Sequence, residues 1–295
     1  MAKFASASKQ SASVMKELQG NVLKSVGTVR NYEQALTNVA EYAKAEKIDG
    51  GLRAMTPEQA ANYLEMRSPD VGQKTLDMER QAIQSMMQNV TSKLKPNERL
   101  EIIKSDQPQN LQSRAYSSVQ VSLIANAQNE RNSLSTEIAY SSGLRAHELL
   151  TLRPEAERPA DDRPVLDSKF QGRDKGVTYT VEGKGGLIRE VIIPVELANR
   201  LEYTRLNEPI QITDRGVHYS QQYDISGGQR WSNSFSSASN RILGHSEGAH
   251  GIRHTYAQER MSELQKVGLT RYEALETVSQ ELGHFRPEIT EVYLR

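Results

Sequence analysis

Val177-Thr178-Tyr179-Thr180-Val181 and Ile188-Arg189-Glu190-Val191-Ile192-Ile193 flank the turn Gly183-Lys184-Gly185-Gly186. β-Branched and aromatic residues dominate both arms, and such side chains suit a pleated, half-buried surface. Two runs of this kind joined by a glycine-rich turn read as a β-hairpin with Lys184 near its tip. This is the clearest strand signal in the 295-residue chain, and its surroundings read as helix. Upstream, Ser117–Ala127 and Asn132–Ser142 carry helical patterns that lead into Gly143-Leu144-Arg145. Downstream, helical signals return from Pro194, around Trp231, and from His250 to the end. The stretch Thr204–Trp231, with Asp214-Arg215-Gly216 and Ser226-Gly227-Gly228, matches no assignable pattern.

Further upstream the chain reads as helices alone. Val29, Tyr32, Leu36, Val39 and Ala43 form a stripe of period 3.6 that stops at Asp49-Gly50-Gly51. Thr56-Pro57-Glu58-Gln59 offers an N-cap, a proline at the first helical position and a glutamine at the third. Another amphipathic stretch runs from Val71 to Val90. Lys93–Gln109 is polar and broken by Pro96 and Pro108, as a linker would be. The expected fold is therefore mainly α with a small antiparallel β-sheet. Two domains are expected: helical residues 1–95, a linker at 96–109, and a mixed domain at 110–295.

Apolar residues make up 37% of the chain, enough for packed cores, and no run approaches the ~20 residues that would span a bilayer. Met1-Ala2-Lys3-Phe4-Ala5-Ser6 lacks the apolar segment of a secretory signal. The absence of cysteine excludes disulfides, thiolate metal sites and a cysteine nucleophile, and it suits a reducing compartment, with the cytoplasm the default. Net charge is zero, but residues 1–104 hold 15 Lys and Arg against 12 Asp and Glu, and the remainder is acidic. Phosphate binding depends on where cations lie, so neutrality allows a basic groove while implying modest non-specific affinity for DNA.

Six residues stand apart: Arg145, Lys184, His250, Arg253, His284 and Tyr293. Singly, each has a plainer reading as a solvated arginine, a charged turn, or a packed histidine or tyrosine. Together they supply what attack on a phosphodiester needs: a nucleophile, charge for the non-bridging oxygens, and a proton donor for the leaving oxygen. Arginine is shaped for two-pronged contact with phosphate. His250 and Arg253, three apart at a helix start, share one face at the positive end of the helix dipole.

Ser142-Gly143-Leu144-Arg145-Ala146-His147-Glu148-Leu149-Leu150-Thr151-Leu152 resembles the first-arginine motif of the tyrosine recombinase (phage integrase) family. His250-Gly251-Ile252-Arg253-His254-Thr255-Tyr256-Ala257 is similar to its His-x-x-Arg motif. Leu282-Gly283-His284, followed nine residues later by Tyr293, resembles its terminal box, and the Lys184 hairpin its lysine hairpin. The four blocks fall in the family's order across residues 110–295.

The resemblance implies a clamp of a helical DNA-binding domain and a catalytic domain. Tyr293 would attack the scissile phosphate to give a 3′-phosphotyrosyl link. Arg145 and Arg253 would hold the non-bridging oxygens, and Lys184 would protonate the leaving 5′-oxygen. His250 would accept or relay a proton, His284 would donate a hydrogen bond to the phosphate, and Glu148 would orient the site. It also implies no metal or nucleotide cofactor, and as partners double-stranded DNA with inverted-repeat sites and three further copies of the chain on two such sites. The sequence stops two residues after Tyr293, without the helix many relatives carry there. Coupling between subunits is therefore expected from the N-terminal helices, then from Thr204–Trp231.

Other readings fit less well. Gly244-His245-Ser246-Glu247-Gly248 spells a nucleophile elbow, but the preceding Ser236–Leu243 is too polar for a buried strand. His250 and His254 are spaced as a metal pair, yet Gly251 stands where a zinc protease has Glu. Gly183-Lys184 lacks the first Gly and the Ser or Thr of a phosphate-binding loop. A type IB topoisomerase-like activity shares the chemistry, and a binding-only relative would have no need of the tyrosine.

Overall fold

The computed structural model describes residues 5–23, 26–109, 111–173 and 175–295. The chain divides into two compact units, Met1–Asn110 and Leu111–Arg295.

The first unit is built from α1 (Ala7–Leu18), α2 (Val26–Ala45), α3 (Pro57–Arg67) and α4 (Gln73–Asn89). The stripe read from the sequence is the inner face of α2: Leu36, Val39 and Ala43 are buried, with Val29 and Tyr32 packed at the edge. Thr56 and Gln59 form the reciprocal capping box that starts α3, with Pro57 in the first turn. Leu18, Leu52, Leu64, Ile83 and Met86 complete the core. One buried carboxylate, Glu79, takes hydrogen bonds from Tyr63 and Arg67. The stretch expected to be a linker, 96–109, is tied down along this unit. Leu100 is buried in the core, Ser105 N donates to Gln73 Oε1 at 2.9 Å, and Asp106 N donates to Ser68 O at 3.0 Å. Its polar composition hides these anchors, which come from glutamine and serine side chains and the Ser68 carbonyl.

The second unit opens with α5 (Ser118–Asn126) and α6 (Glu130–Ser142). A three-stranded antiparallel sheet follows in the order β1 (Arg153–Pro154), β2 (Gly176–Glu182), β3 (Ile188–Pro194). Tyr179 pairs with Val191 and Val181 with Arg189, which leaves Lys184 in the connecting turn. Gly183 N closes that turn on Leu187 O at 2.7 Å. Then come α7 (Val195–Tyr203) and a second antiparallel pair, β4 (Arg205–Asp214) and β5 (Val217–Tyr223), which the sequence reading left unassigned. Four helices end the chain: α8 (Gly228–Leu243), α9 (Gly251–Lys266), α10 (Arg271–Glu281) and the short α11 (Pro287–Thr290), then a 3₁₀ turn at Glu291–Leu294.

The larger core joins Ile138, Leu149, Val181, Val191, Ile193, Trp231 and Phe235, with α6 and α7 against the sheet and α8 against α5 and α6. A smaller one joins Tyr256, Leu264, Val278, Leu282 and Tyr293. Truncating a large aromatic such as Trp231 to alanine in such a core costs about 3–5 kcal/mol. The Gly244–Gly248 stretch is the loop between α8 and α9, held by Tyr116, whose hydroxyl accepts from Glu247 N at 2.6 Å.

Candidate active site

Helix α6 ends at Gly143, whose φ of +61° is the left-handed conformation that closes a helix without penalty only for glycine. A β-carbon there would lie 2.7 Å from Tyr256 Cδ1, so the turn packs directly on α9. This close fit sends Arg145 inward. Its guanidinium Nη1 donates to Glu148 Oε1 at 2.8 Å, and its backbone N donates to Glu148 Oε2 at 2.7 Å.

Glu148 is fully buried and gathers two further arginines. Arg189 Nη2 donates to Oε2 at 2.8 Å, and Arg253 Nη1 lies 3.9 Å from the same oxygen. Burial pushes the carboxyl up, but the charges of Arg189, Arg253 and Arg145 outweigh it and hold the pKa far below 4.5. Glu148 is thus an anion at neutral pH.

Arg253 lies in the first turn of α9 and is 0% exposed. Nη1 donates to Gly143 O, while Nη2 donates to Leu282 O and meets His284 Nε2 at 3.2 Å. Its Nε has no hydrogen-bond partner. Burial, and then the charge of Arg145, pulls its pKa down to about 9. The guanidinium therefore ties the Gly143 turn to the turn that carries His284.

Tyr293 lies over this arginine, with its ring centroid 5.7 Å from Arg253 Cζ. Three histidine rings surround it, at centroid distances of 5.4 Å for His250, 4.7 Å for His254 and 5.1 Å for His284. His250 caps α9 and stays solvent-exposed. Desolvation of its ring where it packs against Tyr293 and His254, then the charges of Arg253 and other neighbours, draws its pKa below 6.5. His284 is pulled down to about 3, by burial first and then by Arg253, Arg145 and Arg189. Both rings are neutral at pH 7. Since Arg253 can only donate, His284 Nε2 accepts, and its Nδ1–H donates to Thr290 Oγ1 at 3.1 Å. In this arrangement the proton of neutral His284 lies on Nδ1 and its Nε2 faces Arg253.

Five of the six singled-out residues thus meet in one place. Lys184 is exposed at the hairpin tip. Its neighbour Gly183 does border the site: a β-carbon there would lie 3.4 Å from Glu148 Oε1 and 3.9 Å from Arg145 Nη1. Two neighbours of the cluster were missed in the sequence. His254 had a signal, since it lies one helical turn beyond His250. Arg189 had none, because a charge among strand residues normally points to water. Among the described residues, no group of three or more His, Asp or Glu side chains could hold a metal ion, and no helix is long and apolar enough to cross a membrane.

No protein-family model and no curated protein sequence matches the chain. Solved structures do match in fold. XerH site-specific recombinase, in a post-cleavage complex with a palindromic difH substrate, gives a TM-score of 0.60 at 17% identity, covering 98% of this chain and 81% of that one. A λ integrase tetramer bound to a Holliday junction gives 0.61 at 14% identity, covering 96% and 75%. The Tn1549 transposon integrase in complex with transposon right end DNA gives 0.56 at 13% identity, covering 99% and 95%. At these identities the likeness is one of fold: the chain has the architecture of the site-specific tyrosine recombinases.

Proposed function

We propose that this protein is a site-specific DNA recombinase that breaks and rejoins strands through Tyr293. The observation that carries the reading is the convergence of Tyr293, His250, His284, Arg253 and the Arg145–Glu148 pair, drawn from four separate stretches of the chain. In the proposed step, Tyr293 Oη attacks the scissile phosphorus while the bond to the 5′-oxygen breaks. The phenolic proton passes to neutral His250. The leaving oxygen takes a proton from Lys184, brought in by the hairpin when DNA is bound. Arg145 and Arg253 stabilise the charge that builds on the non-bridging oxygens. Tyr293 now covers Arg253, so the incoming phosphate has to part them. A phosphate beside His284 favours its protonated form, which would free a donor for that oxygen.

The phosphotyrosyl bond conserves the energy of the phosphodiester, so a 5′-hydroxyl can reverse the step without ATP. The cations named supply the charge stabilisation, and the step as written uses no metal. The helical residues 1–95 are assigned to gripping duplex DNA, on their small basic excess, and residues 110–295 to the chemistry. Exchange between two duplexes takes four cleavages, hence four copies on two sites with inverted repeats.

The test is covalent trapping. Duplexes enriched for binding from a randomised pool, then nicked, should give an SDS-resistant, protease-sensitive complex with the wild type. Tyr293→Phe should bind the same duplexes and give none. Covalent product from Tyr293→Phe, or none from the wild type on any duplex it binds, would falsify the assignment.

A further inference from the structure

Arg189 is a buried cation that the transesterification step leaves without a role. It lies on β3, five residues beyond Lys184, and is 4% exposed. Its guanidinium faces two ways: Nη2 donates to Glu148 Oε2 at 2.8 Å and Nη1 to the backbone oxygen of Glu281 at 2.7 Å. The next carbonyl, Leu282 O, is the one held by Arg253. Gly283 follows at φ +70°, and a β-carbon there would lie 2.6 Å from Arg189 Cδ. The turn that presents His284 is therefore moulded around this side chain.

Resting on the reading of Tyr293 as nucleophile, we propose that Arg189 is a positioning residue that locks the Lys184 hairpin, the Arg145–Glu148 pair and the His284 turn into one register. It does so without touching the phosphate. Arginine suits the task because its planar fork can serve two acceptors in different directions, where lysine offers one compact charge. An apolar side chain of similar size would fill the space, but it would leave Glu148 and the Glu281 carbonyl each short of a donor in a site closed to water.

The full chain carrying Arg189→Lys or Arg189→Met tests this, with three measurements on each. Duplex binding should stay within about threefold of wild type, since no phosphate contact is lost. Covalent-complex formation should fall about 100-fold for Arg189→Met, the scale of loss for a misplacement near 1 Å. Arg189→Lys keeps the charge and loses the bridge, and should still fall at least about tenfold. Hydrogen exchange should quicken together at Gly183 N, which closes the hairpin turn, and at His284 N, which bonds Ser279 O. Covalent-complex formation within threefold of wild type in both variants overturns the proposal, as does faster exchange at only one of the two amides. Should Arg189→Met not fold, Arg189→Lys decides alone. If the wild type forms no covalent complex at all, the reading of Tyr293 fails by itself, and unchanged exchange at both amides would still refute the bridge.

Discussion

Glu148 takes hydrogen bonds from Arg145 N, Arg145 Nη1 and Arg189 Nη2, with Arg253 beside it, and has no access to water. Its protonation is therefore tied to folding. The unfolded chain takes up a proton near pH 4.5, whereas the folded carboxyl resists until far lower pH. The stability contributed by this difference is present above pH 4.5 and is lost as the pH falls below it. Urea denaturation should show the wild type weakening from roughly pH 5 to pH 3. Glu148→Gln should show a shallower acid limb, and at pH 7 it should be less stable by about 3 kcal/mol because three guanidinium groups lose their counter-charge. Parallel acid limbs for the two proteins would mean that Glu148 is not what acid attacks. At this scale the motifs pointed to Arg145, His250, Arg253, His284 and Tyr293, which the fold brings together. It was silent on Arg189, because burial of a strand charge depends on partners more than forty residues away.

The elements that were legible are those with one face in a core. In the hairpin, β3 alternates in burial with Val191 and Ile193 packed inside, β2 buries Tyr179, Thr180 and Val181 in succession, and the β-branched composition of both arms announces them. β4 and β5 escaped because most of β4 is exposed, so nothing selects an apolar alternation along it, and Pro209 argues against a strand. A trace of the signal exists in Ile210-Gln211-Ile212 and in Val217-His218-Tyr219, on either side of Arg215-Gly216. Where two elements meet without space, one atom decides the geometry, and Gly143 is such a point. Gly143→Ala would force a left-handed alanine and drive its β-carbon into Tyr256, for a cost of at least about 2 kcal/mol. It should also slow covalent-complex formation at least about tenfold, because Arg145 is aimed by this turn. Thermal denaturation and trapping on one preparation would check both, and wild-type values in each would show that the turn does not aim the arginine.

For the chain as a whole, formal neutrality conceals two unlike parts: a slightly basic helical unit and an acidic mixed unit, each with its own apolar core. A unit that owns its core should fold alone. The fragment 111–295 is expected to unfold in one cooperative thermal transition with intact near-ultraviolet circular dichroism. If residues 1–95 do the gripping, it should also bind duplex at least about tenfold more weakly than the full chain. A fragment without a cooperative transition, or one that binds as tightly as the whole, would contradict that division of labour.

Among the described residues, three guanidinium groups share the single buried carboxylate of Glu148, which leaves the cluster with an excess of two positive charges. Like charges held this close repel, so a small divalent anion that reaches the cluster is expected to stabilise the fold by mass action. A ligand at a hundred times its dissociation constant adds about 2.7 kcal/mol to folding, which is several degrees of Tm for a unit of this size. Sulfate should accordingly raise the Tm more than chloride at equal ionic strength. Sulfate also strengthens burial generally, so the diagnostic comparison is with Arg145→Gln, in which the excess should shrink to that general effect. An undiminished excess in Arg145→Gln would place the sulfate elsewhere. If the proposed reading holds, duplex DNA is the strongest case of the same linkage, since its phosphate would meet the excess positive charge of this cluster.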